Sequence, residues 1–224
     1  TYPHRFVLGI VLGGPVTGRS VIEGATGETF CFKTPSVPAD PARAVLNGIR
    51  ILQHDYGISP EDISYFVHGT TLGLNTLLQR NGSTTGLLVT RGFRDLLEIG
   101  RLRLPDPTNY YVERIRPLVA RKNVREVKER LQVDGSILTQ LDLDDATQSA
   151  RDLMAEGVTT IAIVLLHAYR NPVHEILLAE HLRRELPDLY ICTSAEVWPQ
   201  QREYERGLLT TINAYIGGKM LNYF

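Results

Sequence analysis

The sequence is short of cysteine, of net charge and of long apolar runs, and each shortage excludes a class of protein. Its 224 residues include two cysteines, Cys31 and Cys192, whose spacing fits neither a metal site nor an expected disulfide, so we predict reduced, mostly packed thiols. The 24 lysine and arginine residues nearly balance 25 aspartate and glutamate residues, and the net charge of -1 excludes the basic surface of a non-specific nucleic-acid binder. No segment approaches the ~20 apolar residues that a membrane-spanning helix needs. We therefore expect a cytoplasmic protein with neither nucleic acid nor membrane as a partner.

What the sequence does contain is an opening of short apolar runs joined by glycine-rich turns. Three such runs, over residues 6–12, 19–23 and 29–33, predict a β-meander. Asp40 and Pro41 then provide an N-cap and a proline at the first helical position. They predict a helix that covers the meander.

The rest of the chain alternates predicted helices and strands, which is typical of an α/β fold. A strand, a helix and a strand over residues 64–67, 72–79 and 85–90 predict a right-handed parallel crossover. Residues 101–120 predict a proline-rich ordered loop, and residues 124–138 predict a hairpin. The remaining pattern predicts, in order, a helix over 142–156, a strand over 159–166, a helix over 172–185, a strand over 190–193 and a helix after Pro199.

Four motifs carry a resemblance to a known family, in the order and spacing of that family. They are HGTTLGLNTLLQRNG (68–82), LLVTRGFRDLLEIGR (87–101), LLHAYRNPVHE (165–175) and SAEVWPQQREYERGLLTTINAYI (194–216). The sequence resembles the hydantoinase A/5-oxoprolinase family over nearly its whole length. The resemblance implies an α/β fold with a ribonuclease H-like, actin-like ATPase type start, in which an opening β-meander and a mixed sheet are flanked by helices. It also implies two regions, an N-terminal hydantoinase/oxoprolinase region over residues 1–193 and the truncated start of the hydantoinase A region over residues 194–224.

The activity that the resemblance implies is ATP-dependent. Family members couple ATP cleavage to hydrolysis of a cyclic amide such as a hydantoin or 5-oxoproline, and relatives carboxylate ketones such as acetone or acetophenone. The sequence leaves both reactions open, together with a catalytically defective member that serves as a scaffold or partner-binding subunit. ATP and magnesium are the implied cofactors. The implied partners are a small-molecule substrate, a hydantoinase B-type subunit or region, and other chains of a homo- or hetero-oligomer. Since family chains are considerably longer, we expect an N-terminal fragment or a natural truncation that is inactive alone.

The first hairpin matches the place where the family binds the phosphates of ATP. The family pattern reads like D-x-G-G-T-F-T-D, and the matching run keeps its phosphate-binding parts at Gly13, Gly14 and Thr17. Val11 and Gly18 stand where the pattern has acids. Since magnesium binds through oxygen ligands, we predict no metal ligand here and doubtful ATP binding. From the residues alone, a structural glycine turn is the simpler interpretation.

The motif HGTT follows a predicted strand and opens a predicted helix. Hydroxyl and amide groups at a helix N-terminus can bind an anion or polarise a carbonyl. The resemblance favours His68, Thr70 and Thr71 as catalytic residues. Without the resemblance, a threonine that only caps the helix is the simpler interpretation.

Polar residues also follow two further predicted strands. They are the candidate substrate-binding residues Arg91, Arg94, Asp95 and Glu98 after one strand, and His167 and Arg170 after another. Ligands of α/β folds bind at the carboxyl ends of strands, so we expect these residues and His68 to line a common cleft at one edge of one fold. The alternatives are a surface pair between Arg94 and Asp95 and a purely structural histidine.

The predicted C-terminal helix has a charged group and an apolar stripe. The charged group comprises Arg202, Glu203, Glu205 and Arg206 and predicts a solvated helix face. The stripe comprises Leu208, Leu209, Ile212, Ile216 and Leu221. We expect the stripe to be exposed and to recruit a neighbouring chain.

Overall fold

The computed structural model describes residues 6–13, 16–36, 41–102, 104–109, 111–113 and 116–221. The chain divides into two compact units. The first comprises residues up to Gln79 together with the end of the chain from Met220, and the second runs from Arg80 to Lys219. Each unit contains its own four-stranded sheet. The predicted boundary between family regions at residue 193 stays a prediction. None of the helices in the described ranges is long and apolar enough to cross a membrane.

The first sheet contains the predicted β-meander. Its strands are β1 (Phe6–Leu12), β2 (Val16–Glu23), β3 (Thr29–Pro35) and β4 (Ile63–Thr70), in the order β3-β2-β1-β4. The first three strands pair antiparallel, whereas β4 runs parallel to β1. Two helices follow in the same unit, α1 (Pro41–Asp55) and α2 (Leu72–Leu78). This mixed sheet with its opening meander and flanking helices confirms the predicted ribonuclease H-like start; Asp40, the predicted N-cap, lies outside the described residues.

The two faces of the first sheet differ in burial because side chains alternate along its strands. Leu8 and Ile10 of β1 and Val21 of β2 are buried in one apolar cluster with Leu52 of α1. On the opposite face, the Val11 side chain is 56% exposed. The helix predicted to cover the meander is therefore present, and it covers one face only.

A buried arginine lies between the meander and α1. The Arg19 Nη1 atom donates to Thr34 Oγ1 at 2.5 Å, and Nη2 donates to the carbonyl of Ala44. Gly48 of α1 leaves the space that this side chain occupies, because a Cβ at that position would lie 1.7 Å from Arg19 Nε. The contact therefore requires glycine at position 48.

The second sheet is parallel and has helices on both faces. Its strands are β5 (Thr85–Thr90), β6 (Val124–Val127), β9 (Thr160–Val164) and β10 (Tyr190–Thr193), in the order β10-β9-β5-β6. The main helices of this unit are α4 (Leu143–Ala155), α5 (Val173–Glu185) and α7 (Glu203–Met220). Leu153 of α4 and Leu182 of α5 join one apolar cluster, and Ala214 of α7 joins the other. The smaller elements are α3 (Leu96–Ile99), β7 (Arg130–Leu131), β8 (Ile137–Thr139) and α6 (Ser194–Val197).

Two predictions of strand pairing were wrong. The elements β4, α2 and β5 do not form a crossover in one sheet, because β4 belongs to the first sheet and β5 to the second. The strand ends near His68 and Thr90 therefore do not share a sheet edge. The predicted hairpin over residues 124–138 is also split: β6 pairs with β5, and only the short strands β7 and β8 pair with each other.

The C-terminal helix α7 is more buried than predicted, in both its apolar stripe and its charged group. Its buried residues are Arg206, Gly207, Thr210, Thr211, Ala214 and Tyr215. The predicted apolar stripe is half buried apart from Leu221, which is exposed. Small residues allow the close approach: a Cβ at Gly217 would lie 2.5 Å from the Tyr190 ring. The prediction of a solvated charged face is wrong at Arg206, which is fully buried.

Candidate functional site

The end of the first sheet brings together two groups of predicted residues. Because β1 and β4 run parallel, their carboxyl ends lie side by side, with Leu12 opposite Thr70. The Thr71 amide donates to the Leu12 carbonyl at 3.1 Å. The hairpin that begins at Gly13 therefore adjoins the HGTT motif, so the predicted phosphate-binding and catalytic residues share one sheet edge.

The described hydrogen-bond donors of the hairpin already have partners within it or close to it. The Gly13 amide donates to the Val16 carbonyl at 3.2 Å. The Thr17 side chain is fully buried, and its Oγ1 lies 2.9 Å from Ser36 Oγ. Gly14 lies outside the described residues. A role for these residues in phosphate binding stays a prediction, and it requires the donors of Gly13 and Thr17 to exchange partners.

The positions that lack the family's acids lie opposite each other. Val11 of β1 pairs with Gly18 of β2 and with Gly69 of β4, so these three paired positions carry no carboxylate. A depression of about 490 Å³ covers this face, and its lining includes Gly9 and Lys33. Within the described residues, no cluster of three or more His, Cys, Asp or Glu could hold a metal. The residues at this hairpin do not fit a magnesium ion, which binds through oxygen ligands.

The threonines of the HGTT motif stabilise the turn into α2. Thr70 Oγ1 accepts a hydrogen bond from the Leu72 amide at 3.1 Å, two residues on, as in a threonine turn, whereas the N-cap of α2 is Thr71. Thr71 Oγ1 accepts from Asn75 Nδ2 at 3.2 Å. His68 is half buried near the end of β4. Both hydroxyls thus have structural partners, and the catalytic role of these three residues stays a prediction.

Three of the substrate-binding candidates after β5 contact charged residues of the second unit. Arg121 binds Asp95 through two hydrogen bonds of 2.5 and 3.3 Å, and this contact holds the pKa of the Asp95 carboxyl below its ordinary value. Arg94 donates to the Arg121 carbonyl at 3.4 Å. Arg91 lies 3.6 Å from Asp145. The partner of Asp95 is therefore Arg121 rather than the neighbouring Arg94 of the alternative interpretation.

The remaining candidates are Glu98, which is exposed on α3, and two residues that follow β9. Since β9 and β5 are adjacent and parallel, their carboxyl ends share one edge of the second sheet. His167 has a left-handed backbone with φ of 60°. Arg170 is exposed beside Gly135 of the β7–β8 turn. The substrate-binding candidates thus follow strands whose carboxyl ends lie at one edge of the second sheet, and their role in substrate binding stays a prediction.

A buried polar group that the sequence analysis missed lies at the same edge. Thr90 Oγ1 contacts the Glu129 carboxylate and accepts a hydrogen bond from the Leu166 amide at 2.8 Å. His174 Nδ1 lies 2.7 Å from the other Glu129 oxygen. Glu129 and His174 are almost completely buried. This group joins the ends of β5 and β9 to the start of α5.

A second buried group surrounds Glu175, the residue after His174. The Glu175 carboxylate accepts hydrogen bonds from Ser194 Oγ at 2.6 Å and from two backbone amides, each at 2.8 Å. Arg206, which is fully buried, lies 3.6 Å from Glu175 and contacts both Ser194 and Glu203. Burial raises the pKa of Glu175 to about 7, although its hydrogen bonds and the nearby guanidinium act to lower it.

Helical spacing is the signal that could have identified these buried charges. Glu175 precedes Leu178, Ala179 and Leu182 by three, four and seven residues, and all four are buried. These positions lie on one face of a helix. A charged residue at a position of the apolar face therefore predicts a buried ion pair.

Comparison with known proteins places the chain in a family. The family described as the hydantoinase/oxoprolinase N-terminal region matches residues 7–186. The caprolactamase subunit alpha of Pseudomonas jessenii is 35% identical over 228 residues, which cover 98% of this chain and 32% of that subunit. The acetophenone carboxylase gamma subunit of Aromatoleum aromaticum is 32% identical over 213 residues, covering 88% of this chain and 29% of that subunit. The chain thus spans about a third of the length of these relatives.

Solved structures of two enzymes have the same fold. The nucleotide-free structure of acetone carboxylase, an enzyme of ATP-dependent acetone carboxylation, has a TM-score of 0.86 at 27% identity and covers 97% of this chain and 33% of its own. The ATP-dependent caprolactamase from Pseudomonas jessenii has a TM-score of 0.82 at 34% identity and covers 96% and 32%. These matches and the family match over residues 7–186 agree with the four sequence motifs. The chain belongs to the hydantoinase/oxoprolinase family and corresponds to its N-terminal region.

Proposed function

We propose that this chain is the N-terminal portion of an ATP-dependent enzyme that hydrolyses a cyclic amide. In this reaction, phosphoryl transfer to the amide oxygen turns a poor electrophile into a good one, so that water can open the ring. The observation that carries the proposal is the 35% identity with the caprolactamase subunit alpha over 98% of the chain. The corresponding identity with the acetophenone carboxylase gamma subunit is 32% over 88% of the chain.

The two sheet edges suggest separate roles within this function. At the edge of the first sheet, the hairpin at Gly13 lies beside Thr70 and Thr71, which suits contact with phosphate or with the reacting carbonyl. At the edge of the second sheet, Arg91 and Arg94 provide guanidinium groups, which bind carboxylate or phosphate through paired hydrogen bonds. These residues contact substrate in our proposal, and no step is assigned to a magnesium ion at the hairpin.

Carboxylation of a ketone is the second candidate function. It is favoured by the TM-score of 0.86 with acetone carboxylase, against 0.82 with the caprolactamase. The same phosphoryl activation would then act on an enolate and on bicarbonate. Both relatives compared by sequence are named as subunits, so either function favours an oligomer, with a hydantoinase B-type chain or region as partner.

The hairpin also leads to an expectation for the isolated chain, which is that this chain does not hydrolyse ATP by itself. Phosphoryl transfer needs charge neutralisation, usually by a metal that has oxygen ligands. Val11 and Gly18 provide no such ligand. We therefore expect the 224-residue chain to release no significant phosphate from magnesium-ATP.

The test uses phosphate release in two preparations. The full-length protein is assayed with magnesium-ATP and one of four substrates: caprolactam, 5-oxoproline, a hydantoin, or acetone with bicarbonate. Phosphate release that depends on a cyclic amide supports the proposal. Phosphate release that depends on acetone with bicarbonate supports the second candidate.

The second experiment tests the hairpin, and it compares the 224-residue chain with a Val11→Asp, Gly18→Asp double variant. Ile22→Asp is the control, because Ile22 is 42% exposed and its strand position places it on the open face away from the hairpin turn. Robust turnover by the unmodified chain would refute the hairpin argument.

A further inference from the structure

The polypeptide is tightly held where β9 ends. Three successive backbone amides each donate to a side chain from a different element of the second unit. The pairs are Leu165 with Glu175 at 2.8 Å, Leu166 with Thr90 at 2.8 Å and His167 with Glu203 at 3.2 Å. The Leu165 carbonyl also accepts from Arg206 Nη2 at 2.7 Å. These bonds fix the path of the chain as it leaves the sheet.

The last residue of this segment, His167, has a conformation that favours glycine. Its φ of 60° is left-handed, and a side chain in this region is strained where glycine is not. The imidazole Nδ1 is buried and forms no hydrogen bond with any described residue. The imidazole ring contacts Tyr169 edge-on, but its buried Nδ1 has no described hydrogen bond that offsets the backbone strain. A strained residue with an unsatisfied buried atom points to a role in function.

The Glu203 carboxylate is itself fixed by a buried charge. One of its oxygens accepts from the His167 amide, and the other contacts Arg206. Arg206 is fully buried, hydrogen bonded to Ser194 and 3.6 Å from Glu175. Because both oxygens have partners, rotation of the carboxylate would break a charge-assisted bond.

We propose that Glu203, fixed by Arg206, is a positioning residue that holds His167 in its left-handed conformation and so presents the imidazole at the carboxyl edge of the second sheet. The proposal rests on the proposed function, in which His167 binds the substrate. Glu203 contacts the His167 backbone and Arg206, and acts on the substrate only through His167.

The first test follows the imidazole directly by NMR of the 224-residue chain. The His167 imidazole resonance is assigned from its loss in His167→Asn, and its chemical shift is compared among variants. We expect Glu203→Ala to move this chemical shift. Glu203→Gln should move it less, since its amide oxygen still accepts from the His167 amide. Glu185→Gln, which alters an exposed pair with Arg151, is the control. An unchanged His167 resonance in folded Glu203→Ala would overturn the proposal.

The second test does not require Glu203→Ala to fold. If His167 is held left-handed, His167→Gly relieves strain that His167→Ala keeps, so the unfolding equilibrium constant of the glycine variant should be several-fold lower. Equal constants, or a more stable alanine variant, would overturn the proposal.

Turnover of the full-length protein separates this inference from the proposed function. Loss of ATP-dependent turnover in His167→Ala, combined with an unmoved resonance in Glu203→Ala, would refute the positioning role and keep the substrate role. A shifted resonance combined with full turnover in His167→Ala would keep the positioning role and refute the substrate role.

Discussion

Replacement of Arg206 by methionine should strongly destabilise the second unit. The Arg206 guanidinium is fully buried, contacts Ser194 and Glu203, and lies 3.6 Å from Glu175. Methionine retains the apolar stem but removes the charge, which leaves the buried Glu175 carboxylate without the cation beside it. Since removal of one partner of a buried pair costs about 3–5 kcal/mol, we expect Arg206→Met to lower the free energy of unfolding by about 4 kcal/mol.

Urea denaturation followed by circular dichroism measures this change. Arg151→Met is the matched control, because Arg151 pairs with Glu185 at the surface, where the side chains are 52% and 47% exposed. Such surface pairs contribute about 0–1 kcal/mol. Adding Glu175→Gln to Arg206→Met should recover part of the loss, since a neutral amide needs no counter-charge. A cost of less than about 1 kcal/mol for Arg206→Met, or a cost equal to that of the control, would refute the reasoning.

Three further predictions concern other buried groups. Gly48→Ala should lower the free energy of unfolding by about 3 kcal/mol, measured by urea denaturation, because the new Cβ would lie 1.7 Å from Arg19 Nε; an unchanged midpoint would contradict the close contact. The pKa of Glu175 rises from 4.5 to about 7 on folding, so the folded state binds this proton more tightly and the free energy of unfolding should fall as pH rises between these two values. Urea denaturation between pH 5 and 8 should show a smaller decrease of this free energy with pH in Glu175→Gln than in the unmodified chain. An equal decrease in both would contradict the prediction. Burial raises the pKa of Cys192 to about 11, whereas Cys31 is exposed. Ellman's reagent should therefore label only Cys31 in the native chain and both thiols after unfolding. Rapid labelling of both thiols in the native chain would contradict the burial of Cys192.

The sequence was sufficient to predict the local elements of the fold. Glycine-rich turns between short apolar runs identified the meander over β1, β2 and β3. Proline at position 41 and the periodicity that follows identified α1. Turn residues and periodicity act over a few positions, so a single sequence contains them in full.

Strand partners could not be predicted in the same way. Apolar runs at β4 and β5 look like neighbours of one sheet, yet each pairs in a different sheet. Periodicity reports which residues of a strand are buried and does not report the partner strand. The residues predicted to line one cleft therefore lie at the edges of two different sheets, His68 at one and His167 at the other.

The buried charges were also missed, for a different reason. A cluster such as Arg202 to Arg206 is usually solvated, since exposed charged residues are far commoner than buried ones. Here Gly207, Ala214 and Gly217 leave little side-chain bulk between α7 and its neighbours, and Arg206 is buried together with Gly207 and Ala214. The small residues were the signal, because they form a helix face that has little side-chain bulk.

The central claim is that the full-length protein activates a cyclic amide by phosphoryl transfer from ATP, and an oxygen-isotope measurement tests it most directly. A cyclic amide labelled with ¹⁸O at its carbonyl is turned over with magnesium-ATP, and the released phosphate is analysed by mass spectrometry. The account predicts that ¹⁸O appears in inorganic phosphate, one atom for each ring opened. Ring opening that leaves the phosphate unlabelled would contradict it, as would ATP cleavage that responds only to a ketone with bicarbonate.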